Sequence, residues 1–122
     1  MLMKELQVVE MSTVCSKKDN YGFIARIFSN DHNPPHIHIF DVSENEICRI
    51  LITDKKPNDF YDLRTLSVDN ERDFSKIREK ILEFANSRNK YGFNNWDFLK
   101  ATWESYHSDE KVRYCLEIIC IS

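Results

Sequence analysis

Two short apolar segments, Phe23–Phe28 and His36–Phe40, are joined by a corner carrying Pro34 and Pro35, and that corner restricts what the chain can become. Each proline fixes φ and removes a backbone donor, and each disfavours helix in the residue before it. The two segments therefore cannot merge into one helix and instead read as separate strands entered from a stiff corner. Strand side chains alternate between faces. His36 and His38 then share one face, and Ile37 and Ile39 share the other. The corner run Asn30–His38 holds three of the chain's four histidines within seven residues.

The flanking sequence supplies the rest of a sheet. Leu6–Thr13 reads as a strand, and Lys17–Gly22 as a polar turn with Asn20 and Gly22 as breakers. Glu46–Thr53 (EICRILIT) is a further strand, spaced from its neighbours as in a meander. Asp54–Asn58 reads as a polar, proline-containing loop, and the chain on to Val68 is assigned to no element. From Glu71 to Arg88, residues Phe74, Ile77, Ile81, Phe84 and Ala85 fall on one helical stripe, with Asn70 and Asp73 at its start and Gly92 suited to its end. A second helix is expected over Trp96–Tyr106, capped by Asn94 or Asn95, with Trp96, Leu99, Trp103 and Tyr106 at helical spacing. Its aromatic stripe reads as core. Val112–Cys120 alternates as a C-terminal strand. The expected fold is α+β: one domain over residues 1–122, with a mostly antiparallel sheet of four to five strands and two helices packed on one face.

Composition narrows the function classes. The chain has 122 residues and a net charge of −3 from 17 basic and 20 acidic side chains. Residues 1–60 hold 7 basic and 9 acidic groups, so neither half is basic. Nucleic acid remains a possible partner that net charge does not support, and no membrane partner is expected. No apolar stretch approaches a bilayer span and no secretory leader is evident. Cys15, Cys48, Cys115 and Cys120 form no C-x-x-C pair, and the expectation is a cytoplasmic protein with reduced thiols. With only Gly22 and Gly92, the chain has no glycine-rich phosphate loop. No serine or cysteine nucleophile is placed by a motif.

The corner itself admits three readings. Two histidines on one strand face offer two nitrogens to a divalent transition metal, with His32 and Asp31 as third and fourth ligands. A centre with an open position activates water for hydrolysis. Alternatively, the histidines and Asp31 satisfy backbone groups around the prolines and only shape the loop. In the third reading Arg26, Asp31, His32, His36 and His38 form a contact surface for a partner. Arg26 is either a solvent-facing residue or an anion-binding guanidinium beside the corner. His107 reads as a helix-end residue.

The stretch Gly22–Phe28 followed by Asp31-His32-Asn33-Pro34-Pro35-His36-Ile37-His38 resembles a family of small bacterial proteins known as domain of unknown function 4160, marked by a D/E-H-x-P-P-H-[FIV]-H motif. The resemblance covers about residues 20–105, with Ile77–Ala85 and Leu99–Trp103 similar to the family's later helix and tryptophan. It departs in the N-terminal segment, the longer loop over residues 54–69 and the added C-terminal strand. Members often lie beside another small gene, so the resemblance implies a partner protein encoded nearby. The expected function is a small protein- or nucleic-acid-interaction module, possible as one half of a toxin–antitoxin-like pair. A metal-dependent hydrolase or nuclease built on the corner is the alternative, and a purely structural motif the third.

Overall fold

The structure, a computed structural model, describes residues 9–107. Five strands follow one another in space as in sequence: β1 (Met11–Cys15), β2 (Ile24–Phe28), β3 (His36–Phe40), β4 (Glu46–Leu51) and β5 (Thr65–Val68). Every neighbouring pair is antiparallel, giving an open meander. Among the described residues two helices join this sheet in an α+β fold, α1 (Glu71–Ala85) and α2 (Asn95–Tyr106). Among the described residues, no helix is long and apolar enough to cross a membrane. The expected strand Val112–Cys120 and the first residues of the expected strand Leu6–Thr13 lie outside the described residues.

Cross-strand register assigns the faces. Ala25 pairs with Ile39, Ile39 with Cys48, and Ile37 with Ile50, so these side chains share one face. They form a single buried cluster with Ile81, Phe84 and Ala85 of α1 and Trp96, Leu99 and Trp103 of α2. Both helices thus cover the same face, as the apolar stripes require. Trp96 is large and polar at one edge, and its indole N–H donates to the Thr53 carbonyl at 2.9 Å. Phe23 meets Phe84 edge-on, their ring centres 5.9 Å apart. Cys15 and Cys48 are free and buried, and loss of hydration pushes both thiols up to about 12. Charges on nearby carboxylates add to that rise. Both pack as small hydrophobes in the core.

Three local readings need correction. The fifth strand of the described sheet is β5, in the stretch that the sequence assigns to no element. It is set by pairing with β4, Cys48 to Val68 and Arg49 to Ser67, which no local pattern reveals. Helix α1 begins as expected, with Asn70 accepting from the Asp73 N–H at 3.0 Å, but stops at Ala85 rather than Arg88. The Asn86 amide donates to the carbonyls of Leu82 and Pro57, both at 2.9 Å, competing with further helix. Gly92 therefore does not close α1. It sits at φ +86° in a separate turn, where its N–H donates to the Asn89 carbonyl at 3.0 Å. Helix α2 is capped by Asn94, whose side chain accepts from the N–H groups of Trp96 and Asp97.

The fully buried Leu99 joins α2 to the sheet. Leu99→Ala is expected to lower unfolding free energy by about 2–5 kcal/mol, through lost burial and the cavity left behind. Urea denaturation checks this, and a loss below about 1 kcal/mol would mean the helix–sheet interface is not packed as described.

Candidate metal centre

The centre forms where the proline corner meets the end of the sheet. After β2 the chain turns, with the Asp31 N–H donating to the Phe28 carbonyl at 3.3 Å. The Asn33–Pro34 peptide bond is cis. The Pro35 carbonyl accepts from the Ile52 N–H at 2.8 Å, so the corner is tied to the chain leaving β4. β3 then starts at His36. As alternation requires, His36 and His38 share the face opposite Ile37 and Ile39, with their ring centres 5.2 Å apart.

Both rings are buried, His36 at 4% and His38 at 6% exposure, and both are held at the nitrogen facing away from Asp31. His36 Nδ1 lies 2.8 Å from the Pro34 carbonyl oxygen, an acceptor only, so Nδ1 carries the proton. His38 Nδ1 lies 2.6 Å from Glu46 Oε2, and Arg49 donates to the other Glu46 oxygen at 3.2 and 3.3 Å. The Nε2 atoms of both rings then converge on Asp31 Oδ2, at 2.7 Å for His38 and 3.4 Å for His36. Phe28 abuts His38 edge-on at 4.8 Å, and Trp103 lies 5.3 Å from His36, fixing the ring planes. The three donor atoms lie within 4.8 Å of one another.

Among the described residues, His36 Nε2 is one of the buried polar atoms without a well-formed hydrogen bond, with Arg26 Nε and Trp103 Nε1. The group it faces is Asp31 Oδ2 at 3.4 Å, an ion pair when the ring is protonated. With Nδ1 donating to Pro34, a neutral ring presents a lone pair at Nε2, facing a carboxylate oxygen. Two electron-rich atoms so placed repel unless a proton or a cation lies between them. His38 differs, because both its nitrogens face carboxylates and its imidazolium satisfies both. Burial opposes that charge, but the hydrogen bonds to Asp31 and Glu46 and their negative charges outweigh it, and the His38 pKa is raised. Burial likewise pushes the Asp31 carboxyl up, while its interactions with the His36 and His38 rings, which act when those rings carry a proton toward it, hold it well below the usual range.

The remaining expected residues fall differently. His32 is exposed and lies outside the converging group: with Asp31 turned in toward β3, its neighbour is turned out. Arg26 sits across from His38 in the sheet, but its guanidinium is engaged by Glu44 and lies over the Phe40 ring at 5.0 Å. It is therefore committed to its own ion pair rather than aimed at an anion in the corner. Sequence reasoning missed Glu46. The only signal for it was the short turn of residues 41–45, which brings Glu46 back beside β3. It also missed the partner of His107. That residue does cap α2, with Nδ1 2.7 Å from the Trp103 carbonyl, but its Nε2 lies 2.6 Å from the Asp31 carbonyl across the fold.

The shifts give a pH prediction for protein kept metal-free with chelator. His38 faces Asp31, Glu46 and the neighbouring His36, and Glu46 in turn faces Arg49. A raised histidine contributes stability that is full below its unfolded value of about 6.5 and lost as pH rises through the folded one. A lowered aspartate contributes stability that is full above about 3.9 and lost as pH falls. The stability advantage of wild type over His38→Gln should therefore be greatest between about pH 4 and 6.5, at about 2 kcal/mol. It should shrink on either side in urea denaturation, and a difference flat from about pH 5 to 9 would contradict the charged His38 bridge.

Set against known proteins, the chain matches no family model, no curated protein and no solved structure, so its centre is read from its own geometry.

Proposed function

We propose that this is a metal-binding protein whose centre, Asp31, His36 and His38, takes one divalent transition-metal ion. The observation that carries the reading is the convergence of two buried ring nitrogens, His36 Nε2 and His38 Nε2, on Asp31 Oδ2, at 3.4 and 2.7 Å, with no well-formed hydrogen bond at His36 Nε2 among the described residues. A cation between them replaces a repulsion with two coordinate bonds. The donor set supports the same reading. Two imidazoles and one carboxylate suit borderline ions such as Zn, Fe, Mn or Ni. Ligands at about 2.0–2.2 Å from such an ion stand roughly 3 Å from each other, close to the 3.4 and 2.7 Å that separate Asp31 Oδ2 from the two ring nitrogens. Each ring is oriented through its far nitrogen, His36 by a backbone carbonyl and His38 by the Glu46 carboxylate. That arrangement fixes which nitrogen is free to bind and raises the ligand's basicity.

Three protein donors leave coordination positions for water, and the more exposed Asp31, at 16%, is the side from which solvent reaches the centre. A metal bound there supplies Lewis acidity for hydrolytic chemistry, the hydrolase or nuclease class. An interaction role for the same corner has less support, because burial of His36 and His38 leaves a partner little to touch beyond His32. One observation favours a purely structural reading: His38, at 2.6 and 2.7 Å from two carboxylates, is satisfied as an imidazolium without a metal.

Elemental analysis by mass spectrometry decides between the two. Wild-type protein incubated with Zn, Mn, Fe or Ni and then desalted should retain about one equivalent of one of them, and His36→Ala/His38→Ala should retain none. Asp31→Asn should weaken retention by about tenfold or more, with circular dichroism checking that the variant folds. Retention should also raise thermal stability, by about 2.7 kcal/mol at a hundredfold excess over Kd. A wild type that holds no metal under any of these loadings overturns the proposal and leaves the proton-bridged, structural corner.

A further inference from the structure

A second feature lies outside the metal centre, in the connection between the two helices. Arg88 and Asn94 form an isolated antiparallel bridge, and the turn between them is held rigidly. The Asn89 side chain accepts from the N–H groups of Tyr91 and Phe93 at 2.9 and 3.1 Å, and the Asn89 N–H donates to the Phe93 carbonyl at 2.8 Å. The Arg88 guanidinium donates to the Gly92 carbonyl at 2.8 Å. From this small scaffold Tyr91 and Phe93 stand 69% and 63% exposed. Large apolar side chains presented this openly by a fixed turn are not core residues that failed to pack. Their geometry is organised in advance, so little conformational entropy is lost when something binds.

The surroundings are basic although the chain is acidic overall. Two grooves meet at Arg88. One, of about 660 Å³, is lined by Lys18, Arg88, Lys90 and Tyr91. The other, of about 620 Å³, is lined by Lys55, Lys56 and Arg88. Five cations thus face two carboxylates, Asp19 and Asp97, along the pair of grooves. Asp19 is already engaged by the Ser16 N–H at 2.7 Å. The Lys90 ammonium lies 5.2 Å from the Tyr91 ring centre, so charge and π-face adjoin.

We propose that the Arg88–Asn94 turn and the two grooves that meet at it bind single-stranded nucleic acid. Tyr91 and Phe93 stack against bases, and Lys18, Lys55, Lys56, Arg88 and Lys90 follow the phosphates. Aromatic faces alternating with cations match a strand in which bases alternate with phosphates. An acidic peptide satisfies the cations but has no planar group for the rings. The duplex is disfavoured because its bases are already stacked.

The test is fluorescence anisotropy with labelled single-stranded RNA and DNA of about 12 nucleotides, with chelator present so that the metal centre plays no part. Wild type is expected to bind, with log K falling linearly against log salt at a slope of about −2 to −4, as for three to five phosphates on a single strand. Tyr91→Ala/Phe93→Ala should weaken binding by about tenfold or more while leaving the salt slope unchanged. Lys55→Glu/Lys56→Glu should weaken it comparably and flatten the slope. All four side chains lie on the surface, and circular dichroism checks that each variant folds. No binding at about 100 μM protein in low salt, or binding indifferent to Tyr91 and Phe93, overturns the proposal. So does a polyglutamate peptide that competes as well as the oligonucleotide, which would assign the surface to acidic peptides.

Discussion

The Asp31 side chain and backbone hold together four parts of the fold. Its carboxylate receives the His38 ring at 2.7 Å from β3, and through that ring reaches Glu46 of β4. Its carbonyl receives His107 at 2.6 Å from the end of α2. One residue in the β2–β3 connection therefore joins two strands and a helix terminus. Polar links of this kind are strong because they are shielded from water and costly when any partner is missing. The corner would otherwise be a loop free to move over the sheet end. Held as it is, Asp31 can serve either a proton-bridged histidine or a metal ion.

Strand β3 works on both of its faces. Ile37 and Ile39 are in the helix-covered core, while His36 and His38 occupy the polar network on the other side. A one-residue slip of β3 against β2 or β4 would exchange the two sets, placing imidazoles in the core and isoleucines against carboxylates. Core packing and the polar centre therefore impose the same register. The helices contribute to the same end. Trp103 belongs to the core cluster and also lies against His36, while His107, one turn later, stacks on Trp103 with ring centres 4.0 Å apart. Packing of α2 on the sheet thus positions the centre from outside it.

Much of this was legible before any coordinates. The Pro34–Pro35 corner, the alternation of His36 through Phe40 and the apolar stripes of both helices rest on local rules, and local rules hold when tertiary contacts agree with them. What escaped reading depended on residues distant in sequence. Strand β5 exists because β4 offers it an edge. The early stop of α1 depends on Asn86 reaching the Pro57 carbonyl, 29 positions away. His32 looked equal to its neighbours in the motif, yet only the path of the corner decides which of two adjacent side chains turns inward.

The sequence by itself determined that His36 and His38 share a strand face, that Asp31 lies one stiff corner away, and that two amphipathic helices pack on one face of the sheet. These follow from alternation, proline geometry and helical period, which act over a few residues. Tertiary structure alone decided that the two Nε2 atoms converge on one Asp31 oxygen, and that Glu46 and the Pro34 carbonyl orient the rings. It also decided that exposed Tyr91 lines a basic groove, two residues from exposed Phe93, on a chain of net charge −3. Convergence of atoms within a few ångströms depends on strand register, loop path and helix docking together, and that information is not carried by any single segment of the chain.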